Sequence, residues 1–552
     1  MRFSRLAFAS LPLAVLSVAA VPAVVRAQEP VDAAIVARIR DEGLKRSQLP
    51  ATLAHLTDVI GPRLTGSPGL LRANEWTRAK LQEWGLEDSH LEPWGEFGRG
   101  WTLERFSMEV VAPTAFPVIA LPKAWSTGFS GTADVVYLEA GDDGSLEKYR
   151  GTLKGKIVLI SPEREVTAHF APEAARYTDE ALAALANSGA GARVRGGQGG
   201  PSAADMTPEQ RERFQAMQRQ RAMASRLLAF CKQEGAAAVL DSARGDGGTL
   251  FVQQATVPSV DPPAPRPSAA GSGQGGGRRV SPWKRDAEKA MIPQIAVSVE
   301  HYNRILRMVR AGEPVRIDLR SKVRFNGTDN SPAFNTVARI PGTDKADEIV
   351  MCGGHIDSWH GGTGATDDGA GVAVAMEAVR ILKAIGAKPR RTIRIALWSG
   401  EEQGIFGSAG YVKEHFGTRE QPKPEHAKFA GYFNLDNGTG RIRGVWCQGN
   451  SAVMPIFASW LAPFSDLGAT TVTLRTTGGT DHLPFDGVGL PGFQFIQDTI
   501  EYDARTHHSN QDVYDRIQVE DMKQAATIMA AFLYHAANRA EPLPRKAPVK
   551  FE

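Results

Sequence analysis

Beyond residue 335 the sequence follows one arrangement: a short apolar run, then residues able to bind a cation, then in places a helical stretch. Residues 348–352, 392–398, 430–435, 472–476 and 493–496 read as strands. Residues 369–385 read as an amphipathic helix ended by Gly386, and residues 519–537 as a C-terminal helix. Strands separated by helices of this length predict an α/β fold with a mixed, mostly parallel central sheet and helices on both faces. Such sheets bind ligands at the carboxyl ends of their strands. The first strand is followed by Gly354-His355-Ile356-Asp357-Ser358, and the turn before the helix carries Thr366-Asp367-Asp368-Gly369. The second strand runs into Ser399-Gly400-Glu401-Glu402, the third into Asp436-Asn437, and the last is followed by His507-His508-Ser509. Imidazole and carboxylate are the ligands that zinc and similar cations take.

Taken singly, each cluster has a plainer reading. His-x-Asp is usually a hydrogen-bonded surface pair, Asp367-Asp368 would serve as a helix cap, and Glu401-Glu402 would be a solvated helix start. Together they do not. Adjacent carboxylates at two successive strand ends repel each other unless a cation compensates them.

The ordered set resembles metallopeptidase family 28, the co-catalytic zinc exopeptidases of the aminopeptidase and carboxypeptidase Q type. Gly479-Thr480-Asp481-His482 and the loop 60–68 extend the resemblance. It implies two zinc ions (Zn2+) per chain. Asp367 would bridge them, His355 and Asp436 would complete one site, and Glu402 and His508 the other. His508 is preferred to His507 because it stands four residues before Asp512; the residues alone leave that choice open. Glu401 would be the general base, Asp368 would shape the turn that carries Asp367, and Asp357 would hold the second nitrogen of His355. Asp481 and His482 are candidate substrate-binding residues. Some relatives have a Tyr before the Asp-His motif that helps to hold the substrate carbonyl; here that stretch is Thr476-Thr477-Gly478-Gly479-Thr480. Arg441, Arg443, Arg475 and Arg505 are weak candidates for a substrate carboxylate.

The 552 residues exceed what one hydrophobic core usually serves. Residues 1–27 read as a signal peptide: Arg2 and Arg5, then an apolar run broken by Pro12 and Pro22, then Val25-Arg26-Ala27 as a cleavage site. The net charge of +3 equals that segment's three arginines, so the remainder is neutral. A neutral body gives no electrostatic reason to expect nucleic acid as a partner, and no later run is apolar enough to expect the membrane. Residues 28–124 read as the N-terminal part of a peptidase domain, with helices over 33–90 and strands over 106–121. Residues 125–320 read as an inserted, β-rich unit resembling a protease-associated domain. It carries a low-complexity stretch, 257–282, which predicts a mobile loop. Residues 321–540 carry the metal site, and 541–552 form a tail. Cys231, Cys352 and Cys447 are too few and too scattered for a disulfide framework.

The expectation is therefore an exported di-zinc exopeptidase acting on short peptides, an aminopeptidase or dipeptidase before a carboxypeptidase. A receptor-like binding protein on the same fold would have lost ligands, and a single-metal relative that cyclises N-terminal glutamine would lack the insertion. The insertion is expected to frame the cleft and restrict it to short chains.

Overall fold

A computed structural model of the chain describes residues 29–139, 143–189, 212, 223–259 and 280–546. The segment read as a signal peptide, most of the low-complexity stretch and the end of the tail lie outside these residues. Among the described residues no helix is long and apolar enough to cross a membrane.

Two eight-stranded sheets organise the chain. The first has the order β1 (Glu87–Glu96), β10 (Pro332–Ile340), β12 (Arg391–Trp398), β11 (Lys345–His355), β13 (Phe429–Asn434), β16 (Gly492–Gln497), β14 (Ile442–Trp446), β15 (Thr471–Thr473). Its centre, β12-β11-β13-β16, is parallel; β10 and β14 run antiparallel to the core strands beside them, and β1 pairs antiparallel with β10. The register sets His355 beside Trp398 and Gly353 beside both Ala396 and Asn434. The carboxyl ends of β11, β12 and β13 are thus level, so the segments leaving them share one edge.

The helix Ala370–Ala384 departs from the amphipathic expectation, since every residue from Ala370 to Leu382 is buried. It packs on the sheet and against the helix Val519–Asn538. The charges that suggested a wet face are paired inside: Arg380 binds Glu377 at 2.7 Å and Glu42, from the helix Ala33–Lys45, at 2.8 Å. A buried ion pair of this kind looks polar in sequence and is internal in space. The reading of 33–90 as helical also ends early. Gly85, with φ of +80°, closes the helix Pro68–Glu83 and the chain turns into β1.

The second sheet has the order β3 (Phe116–Pro117), β2 (Gly100–Ala112), β9 (Arg316–Asn326), β5 (Phe129–Tyr137), β6 (Ile157–Leu159), β7 (Ala238–Ser242), β8 (Gln294–Val297), β4 (Ala120–Pro122). The sheet begins at Gly100 and ends at Asn326, so it takes in strand residues on either side of 125–320. The strands that leave and re-enter the first domain pair antiparallel, from Gly100 with Asn326 to Ala112 with Arg316. Each partner lies some two hundred residues from the other, so no local pattern reveals the pairing. The two units meet across a shared aromatic cluster that includes Phe97, Trp101, Trp125, Trp283 and Trp359. The helix Asp179–Ala186 leaves the second unit and docks Leu182 and Leu185 against Trp446 and Ile496 of the first.

Candidate active site

His355 ends β11, and two glycines let the chain close around it. A Cβ on Gly354 would lie 2.5 Å from Asp368 Oδ2, and one on Gly371 would lie 2.0 Å from the Leu435 carbonyl oxygen. Only glycine permits the turn at 365–369 and the helix behind it to sit this close to β11 and to the segment leaving β13. Asp368, buried and turned inward, accepts the backbone N–H of His355 at 3.2 Å and of Gly371 at 2.9 Å. Its neighbour Asp367 is joined to it by a cis peptide bond.

Asp367 is the centre of the cluster. Its Oδ1 lies 3.3 Å from His355 Nε2, and its Oδ2 lies 3.1 Å from His508 Nε2. His355 Nε2 is also 3.7 Å from Asp436 Oδ1 and 3.9 Å from Glu401 Oε2. His508 Nε2 is 2.9 Å from Glu402 Oε2. Two triads therefore share one carboxylate: His355, Asp367 and Asp436 on one side, His508, Asp367 and Glu402 on the other. His507 stands slightly farther off, with Nε2 3.9 Å from Asp367 Oδ2 and its ring stacked on Tyr502. Asp367, His507 and His508 also converge closely enough to hold an ion.

This donor set suits cations. Glu402 Oε1 is buried without a hydrogen-bond partner, and Asp367 Oδ2 has ion-pair contacts with His508 and His507 but no hydrogen bond. Unpaired carboxylate oxygens are costly inside a protein, and a divalent ion removes that cost. The titration behaviour agrees. Burial would raise Asp367, yet His508 and His355 hold it well below the usual carboxylate range. Burial pushes Glu401 well up, helped by Asp436 and Asp481, and pushes Glu402 up to about 7. Burial alone would lower both ligand-type histidines; the carboxylates around them instead raise His355 well above its ordinary value and His508 to about 10. His507 behaves oppositely: burial and the neighbouring His508 lower it to about 4, which keeps it neutral.

The supporting residues are less legible. Asp357 was expected to hold His355 through its carboxylate. Its backbone carbonyl does so instead, 3.0 Å from Nδ1, while the carboxylate is 3.8 Å away. The carboxylate accepts from Thr65 Oγ1 at 2.9 Å and from the backbone N–H groups of Glu401 and Glu402 at 3.2 and 3.3 Å. Arg63, fully buried, donates to the carbonyls of Ile356, Thr363 and Gly364 at 2.6–2.7 Å and so fixes the loop after β11. Asp512 accepts the backbone N–H of Thr366 at 2.5 Å, which steadies the turn that carries Asp367.

Asp481 and His482 separate. Asp481 is buried beside Glu401, raised to about 7 by burial, and accepts from Ser408 Oγ. His482 turns towards Gln448 and the Thr477 carbonyl, and burial lowers it to about 4. The arginines proposed for a substrate carboxylate are partly committed: Arg441 pairs with Asp521, Arg443 with Asp498, and Arg505 with Asp246 and Glu173. Tyr502 escaped the sequence reading. Its hydroxyl is 3.5 Å from Asp436 Oδ1. A lone Tyr in an irregular segment carries no signal; only its placement does. All three cysteines are buried and unpaired.

Residues 335–533 match the sequence profile of Peptidase family M28. Carboxypeptidase Q of Rattus norvegicus is 32% identical over 255 residues, covering 46% of this chain and 52% of its own. The chain thus spans about half the length of that relative. Among solved structures, the Peptidase M28 precursor from Shewanella amazonensis SB2B has a TM-score of 0.61 at 23% identity, covering 93% of this chain and 99% of its own. The zinc aminopeptidase BSAP from Bacillus subtilis has a TM-score of 0.52 at 19% identity, covering 90% and 96%. At these identities the structural likeness is one of fold.

Proposed function

We propose that the chain is an exported di-zinc exopeptidase acting on short peptides, a reading supported by the match of residues 335–533 to the profile of Peptidase family M28. The observation that carries this reading is the division of Asp367, one oxygen towards His355 and the other towards His508. A carboxylate shared in this way serves a pair of cations. The ligands are His355 and Asp436 on one side, Glu402 and His508 on the other, with Asp367 between. When bound, the zinc pair supplies an activated water and neutralises charge developing on the substrate carbonyl.

Glu401 has the base's role. It is buried beside the cluster, and its main chain is held by Asp357 while its carboxylate stays outside the two triads. It accepts the proton of the attacking water and passes it to the leaving amine nitrogen, completing hydrolysis without an outside acid. Burial and the carboxylates around it hold its affinity for the proton high, as this relay requires. Asp357 and Thr65 orient the loop, and the Tyr502 hydroxyl beside Asp436 is the candidate donor to the substrate carbonyl oxygen. Aminopeptidase or dipeptidase action is preferred to carboxypeptidase action.

The test is hydrolysis of free dipeptides, N-blocked peptides and aminoacyl-nitroanilides, with and without chelator, alongside zinc analysis. Two zinc ions per chain and chelator-sensitive cleavage of substrates with a free amino terminus are expected. Cleavage of N-blocked peptides from the carboxyl end would shift the reading to a carboxypeptidase, and a chain without bound zinc or hydrolytic activity would refute it.

A further inference from the structure

We infer that the unit carried by the second sheet completes the metal centre, with Gln253 as the positioning residue for His508. The inference rests on His508 being a ligand. Segment 250–253 of that unit binds the segment 508–510 through its main chain. Val252 N–H donates to the His508 carbonyl at 3.0 Å, Asn510 N–H donates to the Leu250 carbonyl at 3.0 Å, and Leu250 N–H donates to Asn510 Oδ1 at 2.7 Å. Phe251 and Ser509 form an antiparallel bridge between them. Gln253 is itself pinned, because its carbonyl accepts the N–H of Ala124 at 3.0 Å.

Above this clamp the Gln253 carboxamide lies against the ring, with Nε2 2.9 Å from His508 Nδ1. His508 directs its other nitrogen, Nε2, at Asp367 and Glu402. A ring that ligates through Nε2 carries its proton on Nδ1, so Nδ1 must donate. Flipping the carboxamide, whose nitrogen and oxygen are interchangeable in shape, puts Oε1 in that place to accept from the ring. An acceptor in this position fixes the tautomer and the ring plane and makes the imidazole a better ligand. His355 receives the same service from within its own domain, where the Asp357 carbonyl lies 3.0 Å from Nδ1. The two histidines thus differ in origin of support: one is held by the peptidase sheet, the other by the second unit. His508 has the greater need, since its φ of +64° is a region that side-chain-bearing residues rarely adopt.

The experiment measures zinc affinity by competition with a chromogenic chelator, on the full chain, for the parent, Gln253→Leu, Gln253→Glu and His508→Ala. Gln253→Leu keeps the size and removes the acceptor; one of two zinc ions should be held about 10–100-fold more weakly, the other unchanged. Gln253→Glu restores an acceptor and should restore that affinity, which a packing role would not do. His508→Ala should lose one ion outright. If His508→Ala keeps both ions, the assignment of His508 falls and this inference with it. If His508→Ala loses one ion while Gln253→Leu matches the parent, the assignment stands and the role of Gln253 is overturned. Failure of Gln253→Glu to recover affinity would also overturn it.

Discussion

The carboxylate of Asp357 accepts the backbone N–H of Glu401 at 3.2 Å. A residue of the segment leaving β11 therefore aims one of the segment leaving β12, and Glu402 and Thr65 share the same carboxylate. Asp357→Ala would leave two buried N–H groups and a threonine hydroxyl without an acceptor. Each unpaired group costs about 1–3 kcal/mol, so the variant should unfold at clearly lower denaturant concentration and turn over more slowly. Chemical denaturation with zinc analysis checks this; parent-like stability would show that the hydrogen bonds are dispensable.

Glu401→Gln should lower kcat by about 10²–10⁴-fold, the usual cost of losing a general base, with both zinc ions retained. Loss of an ion, or near-parent turnover, would require Glu401 and Glu402 to exchange roles.

Zinc content should sort the ligands into two pairs. Alanine at His355 or Asp436 empties one site, alanine at Glu402 or His508 empties the other, and Asp367→Ala disturbs both. His507→Ala should retain both ions, since His507 lies farther from Asp367 than His508 does. If instead His507→Ala empties a site and His508→Ala does not, the ligand is His507.

Tyr502→Phe removes only the hydroxyl near Asp436. As a donor to the carbonyl oxygen it should cost about 10²-fold in kcat with little change in KM. A change confined to KM would mark Tyr502 as a binding residue.

His415 offers a pH test remote from the metal site. Burial would lower it, but the Glu425 and Glu92 carboxylates, 3.3 and 2.7 Å away, override this and Arg394 to raise it to about 9. A raised folded value stabilises the protein fully below its unfolded value of about 6.5, and that contribution fades as pH rises through about 9. His415→Gln should therefore destabilise by about 2 kcal/mol near pH 6, allowing for solvent screening. The difference from the parent should close above pH 9 or so. A gap independent of pH would point to lost packing on Tyr411.

What the sequence determined by itself was local. Apolar runs of strand length, each followed by residues of metal-ligand type, name the strands and the clusters at their ends, because a parallel sheet presents those positions to one edge whatever its exact order. His355, Asp367, Glu401, Glu402, Asp436 and the pair His507-His508 are legible for that reason, while the choice between the two histidines is not. Tertiary structure alone decided what stands behind them. Asp357 meets Thr65 across 292 positions, and Gln253 meets His508 across 255. Such partners need only one suitable atom in the right place, so they leave no periodicity and no spacing in the chain. The pairing of Gly100 with Asn326 and the internal pairing of Arg380 with Glu42 were hidden for the same reason. A hydrogen bond or an ion pair between distant segments is selected by geometry, and geometry exists only after the chain has folded.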